Sequence, residues 1–196
     1  ERWKRDEWPR IQALAKAEKA SIWFGDEAGV RSDYHRGTTW APVGETPVVR
    51  STGARYRWNM ISAVNGRGDL RFMLTAKAVT AKVFVEFLRR LMTGAQRPVF
   101  LIVDGHPSHR SSVVRQFLRQ HEGRIRLFYL PPYSPELNPD EQVWREVKAH
   151  GGGRKAVAGK QEMKQMLLRA LRQLQRAPHK IRAFFCTPET AYAMAA

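Results

Sequence analysis

The stretch from Leu127 to Lys148, LFYLPPYSPELNPDEQVWREVK, limits the possible folds of this chain more than any other. Leu127 to Leu130 is a short apolar run of strand type. Pro131-Pro132-Tyr133-Ser134-Pro135 then excludes helix and sheet alike, because proline fixes φ and offers no N–H. Asn138 is a favourable N-cap, Pro139 suits the first helical position, and Asp140 and Glu141 suit the positive end of a helix dipole. A rigid loop therefore carries the chain from a strand to an acidic helix start. Steps of four and seven from Glu141 reach Arg145 and Lys148, so one helical face holds a carboxylate, a guanidinium and an ammonium. The same residues would also suit an ordinary surface helix with an i,i+4 ion pair.

Two further carboxylates upstream change the weight of that pattern. Ala20 to Gly25 (ASIWFG) reads as a compact strand with Asp26-Glu27 at its end, and Pro98 to Val103 (PVFLIV) reads as a strand covered on both faces, ending on Asp104. Before them, Glu1 to Lys19 has helical character, with Trp8, Ile11, Leu14 and Ala15 near one face, and resembles a connecting helix cut from something longer. Arg31 to Val49 is loop-rich, and Trp40 within it suits either a core plug or a base-stacking surface. Arg55 to Val64 and Leu70 to Ala76 are β-type runs joined by Asn65-Gly66-Arg67-Gly68-Asp69, a strong hairpin signal. Thr80 caps a helix to about Met92, Ser111 or Ser112 opens another to about Gln120, and Arg124 to Leu130 is the next strand. Gly151 to Lys155 suggests a mobile basic loop, and Gln161 to Arg176 a final amphipathic helix stopped by Pro178.

A hairpin feeding into βαβαβ predicts an α/β domain with a mixed sheet and helices packed on its faces. Functional groups in such sheets gather at the carboxyl ends of the parallel strands, where Asp26 and Asp104 are both expected. If their strands are neighbours, the proline-braced loop could bring Glu141 to the same place.

Charge narrows the chemistry. The chain carries a net charge of +16 with a pI near 10.8, which points to an anionic partner, nucleic acid first. Between Gln142 and Arg182 there are eleven Lys and Arg against Glu146 and Glu162. A single cysteine, Cys186, excludes an internal disulfide framework, and no apolar run approaches a membrane span, so a soluble intracellular protein is expected. Converging carboxylates need a counter-charge, which hard divalent cations supply. Two such ions can activate an attacking oxygen and stabilise a leaving oxygen in phosphoryl transfer. Phosphodiester cleavage or transfer in nucleic acid is the reaction class that fits both features.

The segments IWFGDEAGV, TTWAPVGETPVV, LIVDGHPSHRS and LPPYSPELNPDEQVWREVK resemble the DDE transposases of bacterial insertion sequences related to the mariner superfamily, and the likeness runs from about Trp8 to Phe185. The resemblance implies a ribonuclease H-like fold with a five-stranded mixed sheet and helices on both faces. It implies a catalytic and metal-binding triad at Asp26, Asp104 and Glu141, served by Mg²⁺ (Mn²⁺ as substitute), with two ions. It further implies double-stranded DNA as partner, both transposon ends and target, a homodimeric full-length complex, and a nucleoid-associated place in the bacterial cytoplasm. DNA contacts are expected at Arg145, Lys148, His109, Arg154 and Lys155. On this reading residues 1–19 connect, 20–186 form the catalytic domain, 187–196 form a tail, and the helix-turn-helix modules of full-length relatives are absent from this chain.

Competing readings of the same residues stay in view. Asp104, Ser108 and His109 have hydrolase-triad types but no nucleophile elbow. His106, His109 and Asp104 could hold zinc. His109 could instead orient Asp104. Glu27 should point away from Asp26 by strand alternation, and Asp140 rivals Glu141 for the third position, since a helix turns neighbours by about 100°. A catalytically silent DNA-binding remnant, or another ribonuclease H-like nuclease such as a junction resolvase, would share much of this pattern.

Overall fold

The computed structural model describes residues 2–32, 42–44, 55–151, 157 and 159–194. Its sheet contains β1 (Ser21–Arg31), β2 (Arg57–Val64), β3 (Leu70–Thr75), β4 (Val99–Val103) and β5 (Ile125–Tyr129), in the order β3-β2-β1-β4-β5. β1, β4 and β5 run parallel, while β2 pairs antiparallel with β1 and β3, so the sheet is mixed as expected. The helices are α1 (Trp8–Ala17), α2 (Ala81–Met92), α3 (Ser112–Gln120), α4 (Glu141–Gly151), α5 (Lys160–Gln175) and α6 (Pro178–Ala183).

The period of two along the strands divides the core. Ile22, Phe24, Phe100 and Ile102 face one side, where buried residues of α1, α4, α5 and α6 cover them. Trp23, Leu101 and Val103 face the other, against α2 and α3. All five residues of β4 are buried, which is why its sequence is uninterrupted by polar groups.

Local chemistry sets most boundaries. Thr80 accepts a hydrogen bond from the Val83 amide and Ser111 from the Val114 amide, starting α2 and α3. In the β2–β3 turn the Asn65 side chain accepts from the amides of Arg67 and Asp69. Gly68 there has φ +95°, and an added Cβ would lie 2.5 Å from the Pro178 carbonyl oxygen, so only glycine fits.

Three features depart from the sequence reading. β1 does not end at Asp26; it leaves β4 after Phe24 but continues to Arg31 because β2 still pairs with it as far as Arg57. α5 does stop ahead of Pro178, at Gln175, but it is not the final helix: Pro178 occupies the start of α6, where its missing N–H is harmless. The chain ends also pack together, with the Tyr192 ring edge-on to Trp3 and Trp8, both at 5.2 Å, and Thr190 and Ala193 buried. Trp40 and the basic loop beyond Gly151 lie outside the described residues.

Candidate active site

The pairing of β1 with β4 ends at Phe24 opposite Ile102, and two further steps bring Asp26 level with Asp104 at the carboxyl end of the parallel strands. On its other side Asp26 is opposite Ser62 of β2. Asp26 Oδ2 accepts a 3.0 Å hydrogen bond from Trp144 Nε1 of α4. Trp144 follows Glu141 by three residues, so both lie on the face of α4 turned to β1. Burial, and then the negative charge of Glu141, push the Asp26 carboxyl up to about 8, with a smaller push from Asp104.

The approach of α4 is fixed by two buried contacts just before it. Asn138 donates through Nδ2 to the Gly25 carbonyl at 3.1 Å, while its Oδ1 accepts from the Asp140 amide, also at 3.1 Å, as a cap should. Asp140 is fully buried and accepts from the Ser62 hydroxyl. Its Oδ1 has no hydrogen-bond partner among the described residues. Burial raises the Asp140 carboxyl well above the usual range, against the Ser62 bond, and the charges of Asp26 and Glu141 add to the rise. The two neighbouring acids thus diverge: Asp140 faces the core and Glu141 faces Asp26. The other end of the loop is tied beside Asp104, where the Leu130 amide donates to the Val103 carbonyl at 2.8 Å. Between these anchors Tyr133 stands fully exposed at φ +55°, an uncommon conformation for a non-glycine residue.

Asp104 is held from a different direction. Its Oδ1 lies 3.0 Å from His109 Nδ1 and accepts from the His106 amide at 3.1 Å. His109 Nε2 lies 3.0 Å from Glu27 Oε1, and its ring packs 4.3 Å from Phe84. Burial alone would lower the His109 pKa, but its bonds to Asp104 and Glu27 outweigh that and raise it to about 9. The charged ring in turn keeps Asp104 below the usual carboxylate range. At 2% exposure with both nitrogens engaged, His109 orients Asp104 and offers no nitrogen to a phosphate. Glu27 does point away from Asp26, yet it reaches Asp104 through the histidine.

Arg145 and Lys148 are exposed on α4, and Lys148 lies one turn beyond Trp144. Among the described residues no ion pair joins Glu141 to Arg145, which stands within electrostatic reach of Glu189 instead. Arg154 and Lys155 lie outside the described residues. No three His, Cys, Asp or Glu side chains among the described residues already stand as an ion cage, a zinc site at His106 and His109 included, since Asp104 is drawn to His109 while Asp26 faces Glu141. The sequence reading missed Trp144, Ser62 and the Asn138–Gly25 bond. Helical spacing from Glu141 could have found Trp144; nothing local marks the other two.

Strand order and register define the class as a ribonuclease H-like domain. The same fold occurs in the Mos1 transposase catalytic domain solved with Raltegravir and Mg, which matches with a TM-score of 0.60 at 14% identity, over 97% of this chain and 93% of that one. It occurs again in the mariner Mos1 paired end complex with Mg, with a TM-score of 0.63 at 18% identity, over 98% of this chain and 63% of that one. A curated relative, the insertion element IS630 uncharacterized 39 kDa protein of Shigella sonnei, is 23% identical over 128 residues, 64% of this chain and 37% of its own length. Residues 21–164 match the DDE superfamily endonuclease family, and the chain belongs to that family.

Proposed function

We propose that this domain is the catalytic core of a DNA transposase, with Asp26, Asp104 and Glu141 as its divalent-cation site. The observation that carries the reading is the pairing of Asp26 with Glu141. Burial and the adjacent carboxylate hold Asp26 up to about 8 in a chain of net charge +16, a local shortage of positive charge in a basic protein. Oxygen-only donors of this kind suit Mg²⁺ or Mn²⁺. Two such ions, when bound, neutralise charge around a phosphoryl group and lower the pKa of an attacking water.

The chain's own residues supply positioning. Asn138 and the Ser62–Asp140 pair fix the start of α4, Trp144 holds the Asp26 carboxylate, and His109 holds Asp104. Arg145 and Lys148 extend the same helix towards solvent, where they would grip the phosphates of the cut strand. In hydrolysis the water oxygen bonds to phosphorus, the bond to the 3′ oxygen breaks, and the products are a 3′-hydroxyl and a 5′-phosphate. In transfer that 3′-hydroxyl oxygen attacks a target phosphodiester and displaces the target's own 3′ oxygen, its proton passing to solvent. Support for DNA ends as substrate and for both metals comes from the relatives, solved as Mos1 paired-end complexes with Mn, with Mg and with a left transposon end. Two copies, one for each end, would make the working complex.

The test is Asp104→Asn. Mg²⁺-dependent nicking and joining of an end duplex should be lost, while circular dichroism and duplex affinity stay as in the parent. Retention of more than a few per cent of the activity would overturn the assignment. Cleavage of four-way junctions without any strand transfer by the parent would reassign the domain to the resolvase type.

A further inference from the structure

At the opposite end of the sheet, where β1 and β4 begin, lies a cleft of about 570 Å³ with four cations on its rim: Lys16 at the end of α1, Lys19 in the α1–β1 turn, Arg67 in the β2–β3 turn and Arg97 just before β4. No carboxylate lines it, and none of the four makes an ion pair among the described residues. Elsewhere Arg5, Arg10, Arg89, Arg90, Arg126 and Lys180 each sit against an acid. From Arg97 to Asp104 is seven residues of chain, mostly strand, so the cleft lies roughly 23 Å from the carboxylates.

Two features show that this rim is built rather than incidental. Lys19 has φ +53°. It directly follows the C-cap of α1, the position where glycine is favoured and where a side chain costs about 1 kcal/mol. A cation is thus kept where backbone sterics favour none. Arg67 is presented by a braced turn: Asn65 takes its amide, Arg182 Nη1 donates to its carbonyl at 3.1 Å, and the neighbouring Gly68 packs against Pro178. Ala13 and Ile22 give the cleft an apolar wall suited to deoxyribose.

We infer that this cleft is a second DNA-backbone site, which holds the phosphates of a duplex separate from the one at the carboxylates. A single straight duplex crossing the carboxyl ends of the strands cannot also lie at their amino ends, and wrapping it round the domain would need a sharp bend. The inference relies on the transposase reading for the choice of DNA as the polyanion, but its test does not use cleavage. Each phosphate neutralised contributes about 0.9 to the slope of log affinity against log salt, so four cations contribute roughly 3–4.

The experiment titrates a fluorescent duplex of about twenty base pairs into the parent and into Lys16→Gln/Lys19→Gln/Arg67→Gln/Arg97→Gln. The parent should take two duplexes per chain and the variant one, with a salt slope smaller by about 3–4. Lys19→Gly alone should raise the melting temperature by about 1–3 °C by relieving the left-handed backbone, and should still lower the salt slope by about one. Equal stoichiometry and slope in parent and quadruple variant would overturn the inference, as would Lys19→Gly stabilising the fold with the slope unchanged. An Asp104→Asn variant that loses cleavage but keeps two duplexes separates this site from the catalytic reading.

Discussion

Asp26→Asn should stabilise the metal-free domain at alkaline pH. Burial and Glu141 raise the Asp26 carboxyl from an ordinary 3.8 to about 8, so the folded chain holds a proton there that the unfolded chain has lost. A raised pKa gives stability that is complete below about pH 4 and is lost as the pH climbs towards 8. The fixed geometry sets a ceiling of about 6 kcal/mol for that loss, and movement of the two carboxyl groups with entry of water leaves ~2–3 kcal/mol. For a domain of this size that corresponds to roughly 5–10 °C in melting temperature. Asparagine keeps an oxygen to accept from Trp144, so the substitution removes the charge and little else. Thermal melts in EDTA at a series of pH values should show the variant above the parent at pH 8, with the gap closing towards pH 4. Millimolar Mg²⁺ should raise the parent and leave the variant nearly unmoved. Equal melting temperatures at pH 8, or a gap that ignores pH, would refute the reasoning.

Three further outcomes follow from the same geometry. Trp144→Phe deletes the only side-chain donor described on Asp26, a bond to a charged group of about 1.5–3 kcal/mol, and should cut kcat about 10- to 100-fold with a smaller effect on melting; an unchanged kcat removes Trp144 from the site. Asp140→Ala should cost about 2–4 kcal/mol by opening a cavity and orphaning Ser62, whereas Asp140→Asn should fold nearly as well as the parent; denaturant unfolding separates the two. Lys148→Ala should lower cleavage severalfold without altering metal affinity or melting temperature, and parental rates in that variant make Lys148 a bystander.

What the sequence disclosed was mostly local. The caps at Thr80 and Ser111, the Asn65–Asp69 turn and the two-residue alternation of β1 and β4 each depend on residues within a few positions, so the sheet and its helices could be drawn in advance. The extension of β1 to Arg31 was hidden because glycine and charged residues do not look like strand; its cause is the partner strand. Adjacent acids such as Asp140 and Glu141 look alike in a sequence, and only Ser62, 78 residues away, separates their fates. His109 shows the same limit. Its position near Asp104 was visible, but its burial against Phe84 and its bond to Glu27 depend on elements far along the chain.

Those long separations have a consequence in time. The bonds that secure α4 against β1 join residues 113 and 118 positions apart, Asn138 to Gly25 and Trp144 to Asp26. On a ribosome working at roughly 5–20 residues per second, Asp26 waits about 6–24 s before Trp144 is even made. Pairings of such sequence distance also close late during folding, because the intervening chain must first lose its freedom. Until then the strand carrying Asp26 has no tryptophan to hold its carboxylate and no Glu141 beside it. The cluster of Asp26, Glu141 and Trp144 is thereby among the last parts of the domain to assemble, and a product released before Trp144 would carry Asp26 and Asp104 with nothing to hold Glu141 beside them.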